Sequence, residues 1–258
     1  MKNNRVIELF LEFRREVMAQ PEEKLARFAD KEFGQIDWSA MAFMTIVDAH
    51  ALALTNEVNE FVLYLSELRA WKQVLSTLEE HERFEAMELV HPLVHLCMGS
   101  PYTLKVRFCR SIAQVSHQGN RFVVDGWRDD EDVQNPNFKT ARRLAGQWPS
   151  WPRLEGALSK LNSDEFKATV YDFRNESQHG FPRQIEIGVT PFVRRERTES
   201  GVGYSFGAYP PLALADAVAA LTGQCAAALA VHAAYTHLVD EQRREVVAKC
   251  ASAGGTTL

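Results

Sequence analysis

The sequence predicts an all-α fold, a helical bundle with one small β-hairpin inserted before its last long helix. Three observations predict it. Apolar residues recur at helical spacing along almost the whole chain. Two short runs, Ile185 to Val189 and Val202 to Phe206, alternate as strands do, and they flank a charged, glycine-bearing segment as a hairpin would. After Tyr209-Pro210-Pro211 comes a stretch dominated by alanine that can be a single helix to about residue 248.

Taken in order, Val6, Leu9, Phe10, Phe13 and Val17 mark one face of an amphipathic helix, with Glu8, Glu12 and Arg15 between them. Gln20-Pro21 ends it. Pro21-Glu22-Glu23 then predicts a short second helix, because proline and acids suit a first turn. Asp37-Trp38-Ser39 reads as a cap before a mostly apolar helix over residues 40–68. From Trp71 to His95 the pattern stays helical, with Pro92 expected to kink or end it. Gly99-Ser100-Pro101 reads as a turn, and Leu104 to Val115 as a further helix closed by Gln118-Gly119-Asn120. Arg121 to Trp127 reads as a short strand or extended segment, followed by an acidic loop to Asn137 and a basic helix around residues 139–144.

Trp148-Pro149-Ser150-Trp151-Pro152 reads as a rigid linker and an internal boundary. It separates an N-terminal helical region, 1–147, from residues 148–250, although the two are expected to form one continuous globular domain. Asn162-Ser163-Asp164-Glu165 is an N-cap with acids in the first turn, and its helix is expected to run through Phe166, Val170 and Phe173. The small side chains of the last helix let another helix approach closely. Residues 251–258 read as a flexible tail.

Composition narrows the function. The chain has 258 residues, 46% hydrophobic and 24% charged, with a net charge of -5. These are values of an ordinary soluble globular protein with a sizeable core. A negative chain contacts nucleic acid only through a local basic patch. Cys97, Cys109, Cys225 and Cys250 are widely spread and form no CxxC pair, so neither a disulfide framework nor a cysteine zinc site is expected. A cytoplasmic location is expected. The charged N-terminal stretch does not read as a signal peptide, and the alanine-rich Ala217 to Leu238 reads as a buried helix, not a membrane span.

One stretch combines charged chemistry with a structural stop: Asp172-Phe173-Arg174-Asn175-Glu176-Ser177-Gln178-His179-Gly180-Phe181-Pro182. Arg174 and His179 are five positions apart, about 140° on an unbroken helix. Gly180 and Pro182 place a helix end at His179, with Gly180 expected at the C′ position. A histidine there stands where the helix dipole favours a cation, a useful setting for acid–base work.

Arg174-Asn175-Glu176-Ser177-Gln178-His179 resembles the hallmark of HEPN ("higher eukaryote and prokaryote nucleotide-binding") domains: an arginine, a polar residue such as asparagine, and a histidine a few residues on. The match covers about a dozen residues, and the rest of the chain agrees only in being helical. The resemblance implies a metal-independent endoribonuclease without cofactor, working as a homodimer. RNA processing, phage defence or a toxin–antitoxin system, with an antitoxin or regulatory protein as partner, would be its setting. It implies that the RNA 2′-hydroxyl is the nucleophile and that His179 moves a proton. Arg174 would hold the scissile phosphate, and Asn175 would orient the arginine or the phosphate. Arg183, Arg194, Arg195 and Arg197 would form the basic rim that holds RNA. The alternative within the same resemblance is a non-catalytic helical scaffold that binds nucleotide, RNA or a protein.

Two other sets of residues compete. Arg110 to His117 meets the loosest arginine–histidine spacing, but serine follows the arginine where asparagine, aspartate or histidine is expected. His91 and His95, with Glu88 and Cys97 nearby, could share a helix face as metal ligands, the basis of a third reading as a metal-binding bundle. Pro92 disturbs that helix, and no second carboxylate–histidine pair completes a two-metal site. His232 and His237 do not share a face and read as polar points in a packed seam.

Overall fold

A computed structural model describes residues 3–28, 38–129, 137–198 and 201–254. The expected cap at Asp37, most of the acidic loop after Arg128, and the last four residues of the expected tail lie outside them. The described elements are α1 (Asn3–Ala19), α2 (Trp38–Ser76), α3 (Glu80–Val123), α4 (Phe138–Ala145), α5 (Trp151–Lys160), α6 (Asp164–Thr169), α7 (Phe173–His179), β1 (Thr190–Thr198), β2 (Gly201–Tyr209) and α8 (Leu214–Gly254). Among the described residues the fold is all-α apart from one antiparallel hairpin directly before the last long helix, as the patterning predicts.

Several boundaries differ from the sequence reading. Residues 21–28 are not helical, so the proline and acids after Gln20 open no second helix. α3 runs unbroken through Pro92 and through Gly99-Ser100-Pro101. Burial decides this: Val90, Val94, Cys97, Met98 and Leu104 are all within 2% of full burial, and tertiary packing supplies most helical stability. Ser100 is satisfied inside the helix, its hydroxyl donating to the Leu96 carbonyl at 2.7 Å. The helix continues to Val123, so Arg121 to Trp127 is a helix end and turn, closed at Gly126 with φ +70°, and no strand. α8 likewise extends to Gly254, into the expected tail.

The chain divides into two compact units. One comprises residues 1–23, 63–100 and 163–223, the other 24–62, 101–162 and 224–258. The Trp148–Pro152 segment lies inside the second unit, where Trp148 and Trp151 are buried.

In the first unit α1 is tied down by Phe13, whose ring stacks on Trp71 of α2 at 4.7 Å, and by Arg5, which reaches Glu82 of α3 at 2.9 Å. Arg69 of α2 pairs with Glu23 and donates to the Thr222 hydroxyl of α8 at 3.2 Å.

The second unit is threaded by a polar seam. Buried Ser111 and Tyr235 share a hydrogen bond of 2.7 Å, and Gln242 donates to Ser116 at 2.9 Å. Arg243 is 1% exposed, pairs with Asp48 and lies over the Phe28 ring. Thr55 donates its hydroxyl proton to Ala51, so it accepts from His232 Nε2–H at 2.8 Å, which fixes the histidine tautomer. Buried Ala228 and Ala234 lie in the same part of α8. By length and composition α8 could cross a membrane, and 44% of its most apolar window is buried within the fold.

Candidate functional site

The arginine–histidine motif sits on α7, a helix of seven residues. The sequence reading runs one helix from Ser163 through Phe173. Ser163 is indeed the N-cap, accepting from Phe166 N–H, but that helix, α6, stops at Thr169. The stop is a paired closure: Tyr171 N–H donates to Ala168 O, and Asp172 N–H donates to Lys167 O at 2.7 Å. This closure needs a left-handed residue where glycine is usual. Tyr171 fills that place with φ +56°, and Asp172 follows at +48°. A left-handed non-glycine costs on the order of 1 kcal/mol. Tyr171 uses its ring nearby, since the Arg183 guanidinium lies 3.3 Å from the ring centroid.

α7 has a single buried residue, Phe173, set edge-on to His95 of α3 at 4.9 Å. Partial burial, with His91 nearby as a lesser cause, lowers the His95 pKa. Arg174 is half-buried in the first turn, and residues 175–180 are exposed. Ser177 donates to the Arg174 carbonyl at 2.9 Å. His179 is the last helical residue, as expected. Gly180 differs from expectation: its φ is −145°, so it is not left-handed. A Cβ there would meet only the end of the exposed Glu176 side chain, which can swing aside, so neither backbone nor packing demands glycine at this position.

Arg174 and His179 therefore belong to one regular helix. Five residues of helix turn them about 140° apart. A single α7 presents the pair to different directions and does not close a site around one phosphate.

Beyond Gly180 the chain is pinned to the hairpin. Thr190, 3% exposed, accepts from Gln184 N–H at 3.0 Å and donates to the Pro182 carbonyl at 3.1 Å. The first strand begins at Thr190, five residues later than the alternating run that predicted it. Ile185 instead makes a lone parallel bridge with Leu212. Glu186, at φ +62°, accepts from Leu214 N–H at the start of α8 at 2.8 Å, with Arg83 at 4.0 Å.

The four arginines of the expected rim part company. Arg183 is held between the rings of Tyr171 and Tyr209. Arg194 donates to the Tyr209 hydroxyl at 3.3 Å and leans over Phe192. Phe192 stacks on Tyr209 at 4.4 Å, a fit that requires Gly207 opposite, where a Cβ would meet the ring at 2.6 Å. Arg195 and Arg197 are exposed on the other face of the hairpin. The aromatic partners Tyr171, Phe192 and Tyr209 are not flagged by the sequence, because they meet these arginines only through the folding of the hairpin back toward the end of α6.

The competing residues separate clearly. His117 of the second arginine–histidine spacing is 2% exposed, bonds Asp129 at 2.8 Å and packs on Trp127. His91 lines a cavity of about 320 Å³ with Phe84, Met87, Glu88 and Ile185. Among the described residues no group of three histidine, cysteine or carboxylate side chains could hold a metal ion. Comparison with known proteins brings no match: no family model, no curated protein and no solved structure aligns with this chain.

Proposed function

We propose that the chain is a metal-independent, HEPN-like endoribonuclease that acts as a homodimer. The observation that carries this reading is α7. It buries one side chain, Phe173, and displays Asn175 to His179 at the surface, with Arg174 half-buried in its first turn. A seven-residue helix is not stable by itself, so the fold spends contacts to display residues that the core does not use.

In the reaction, the 2′-hydroxyl gives up its proton as its oxygen bonds to the adjacent phosphorus. The bond from phosphorus to the 5′-oxygen breaks, and that oxygen takes up a proton. The products are a 2′,3′-cyclic phosphate and a 5′-hydroxyl. His179 serves one of the two proton transfers, and Arg174 stabilises the charge on the phosphate oxygens. Asn175 orients the phosphate or the arginine. Because Arg174 and His179 diverge by about 140° within one α7, a second copy related by two-fold symmetry completes the site.

Cleavage of a mixed pool of single-stranded RNA in the presence of chelator tests the reading. Cutting that is lost in His179→Ala and in Arg174→Ala supports it. Cutting that survives both substitutions removes the site from α7, and a dimer whose two His179 side chains lie far apart removes the composite site. Failure to cut any RNA moves the chain to the scaffold reading.

A further inference from the structure

The hairpin has two unlike faces. Directly paired residues share a face, so Val193 with Phe206, Arg195 with Tyr204, and Arg197 with Val202 lie together. All six are exposed, Phe206 by 76%, Val193 by 63% and Tyr204 by 60%. The opposite face is the tether: Phe192 on Tyr209, and Tyr209 over Arg183, with Thr190 buried at the base. A two-stranded hairpin needs such an anchor to be stable. The exposed face makes no such anchoring contact, yet it carries two rings and two cations. No carboxylate belongs to this face along either strand.

We propose that this face binds single-stranded RNA, with bases stacked on Tyr204 and Phe206 and phosphates on Arg195 and Arg197. A row of rings on β2 beside a pair of cations on β1 supplies the two elements of a strand-binding platform, since every base has a π-face and every linkage a charge. The occupant must be anionic and flat-faced, which the pairing of Arg195 with Tyr204 states in chemical terms. Tyr204 and Phe206 are two residues apart in β2, hence about 6.8 Å along the strand. That is twice the ~3.4 Å base step of a stacked helix, so the rings take bases splayed from a single strand. The choice of RNA rests on the proposed cleavage reading. The hairpin that carries this face is tied at its base to the segment just after α7, because Pro182 and Gln184 are both bonded to Thr190.

The test is fluorescence anisotropy with a labelled twelve-nucleotide oligouridylate whose riboses are 2′-O-methylated, so that no 2′-hydroxyl nucleophile remains. Tyr204→Ala/Phe206→Ala is expected to weaken binding by about tenfold per ring. Arg195→Gln/Arg197→Gln is expected to reduce the slope of log affinity against log salt by about 0.7 per arginine. All four side chains are exposed, and melting curves confirm that the variants fold. Four results would overturn the proposal: no binding by the native chain at low salt, binding by the aromatic variant within about twofold of native, equal competition by duplex, or a dimer that falls apart in the aromatic variant while strand affinity holds. The last would make the face a contact between copies. The two readings fail separately: binding through this face without any cutting of natural RNA leaves the face standing, and cutting with unaltered binding in the aromatic variant leaves α7 standing.

Discussion

Asn120, 8% exposed near the end of α3, joins three partners. Its amide donates to the Leu144 carbonyl at 2.9 Å, and its carbonyl accepts from the Trp148 indole at 2.9 Å and from Gln147. Leu144 is in the last turn of α4, where carbonyls lack helical partners, so Asn120 caps that helix from outside. Asn120→Ala orphans the buried Trp148 N–H and the Leu144 carbonyl, whereas exposed Gln147 turns to water. Each buried orphan costs about 1–3 kcal/mol, so a loss of about 2–6 kcal/mol is expected, with water entering the vacated space moving it to the lower end. Urea unfolding followed by circular dichroism and by tryptophan emission measures it, with Gln147→Ala as a control expected within ±0.5 kcal/mol or so. Asn120→Asp keeps the acceptor and sets a carboxylate against the Leu144 carbonyl. Its deficit is expected to shrink at acid pH, where a protonated carboxyl again donates. A loss below about 1 kcal/mol for Asn120→Ala, equal to the control, would refute the reasoning.

Phe173→Ala is expected to cost about 3 kcal/mol or more and to raise hydrogen exchange of residues 174–180 first, since Phe173 is the one buried residue of α7; unchanged exchange there would mean that other contacts hold the helix. Glu186→Ala removes the acceptor for Leu214 N–H and is expected to cost about 1–2 kcal/mol. Glu186→Gly loses the same acceptor but relieves the left-handed backbone, so thermal melts place it between Glu186→Ala and the native chain; the opposite order would contradict the strain at φ +62°. Burial lowers the His232 pKa below its ordinary 6.5. The unfolded chain then binds more protons below that value, so the contribution of His232 is complete above pH ~6.5 and is lost as pH falls toward the lowered folded pKa. His232→Gln should melt with a shallower fall between pH 7.5 and 5 than the native chain, and an equally steep fall would count against a neutral buried ring.

The helical class and the place of the hairpin were legible because apolar periodicity reports which faces are buried. The boundaries were less so. Gly99-Ser100-Pro101 carries strong local turn chemistry, yet the burial of Cys97, Met98 and Leu104 overrides it, and burial is not a local property. β1 hid behind Arg194, Arg195 and Arg197, which alternate faces while reading in one dimension as a charged loop. The break before α7 was hidden for the opposite reason: Tyr171 takes a left-handed position that sequence rules reserve for glycine. The motif was visible as letters, and its spacing alone also selected Arg110 and His117. What separates the two is exposure, since His117 is buried against Asp129 and Trp127 while His179 stands at the surface.

Cleavage of single-stranded RNA in chelator by the native chain, His179→Ala and Arg174→Ala, with product ends identified, tests the role of α7 most directly. The expected result is chelator-resistant cutting that leaves 2′,3′-cyclic phosphate and 5′-hydroxyl ends and falls by at least about a hundredfold in each variant. Undiminished cutting by His179→Ala, or products with 5′-phosphate ends, would contradict it.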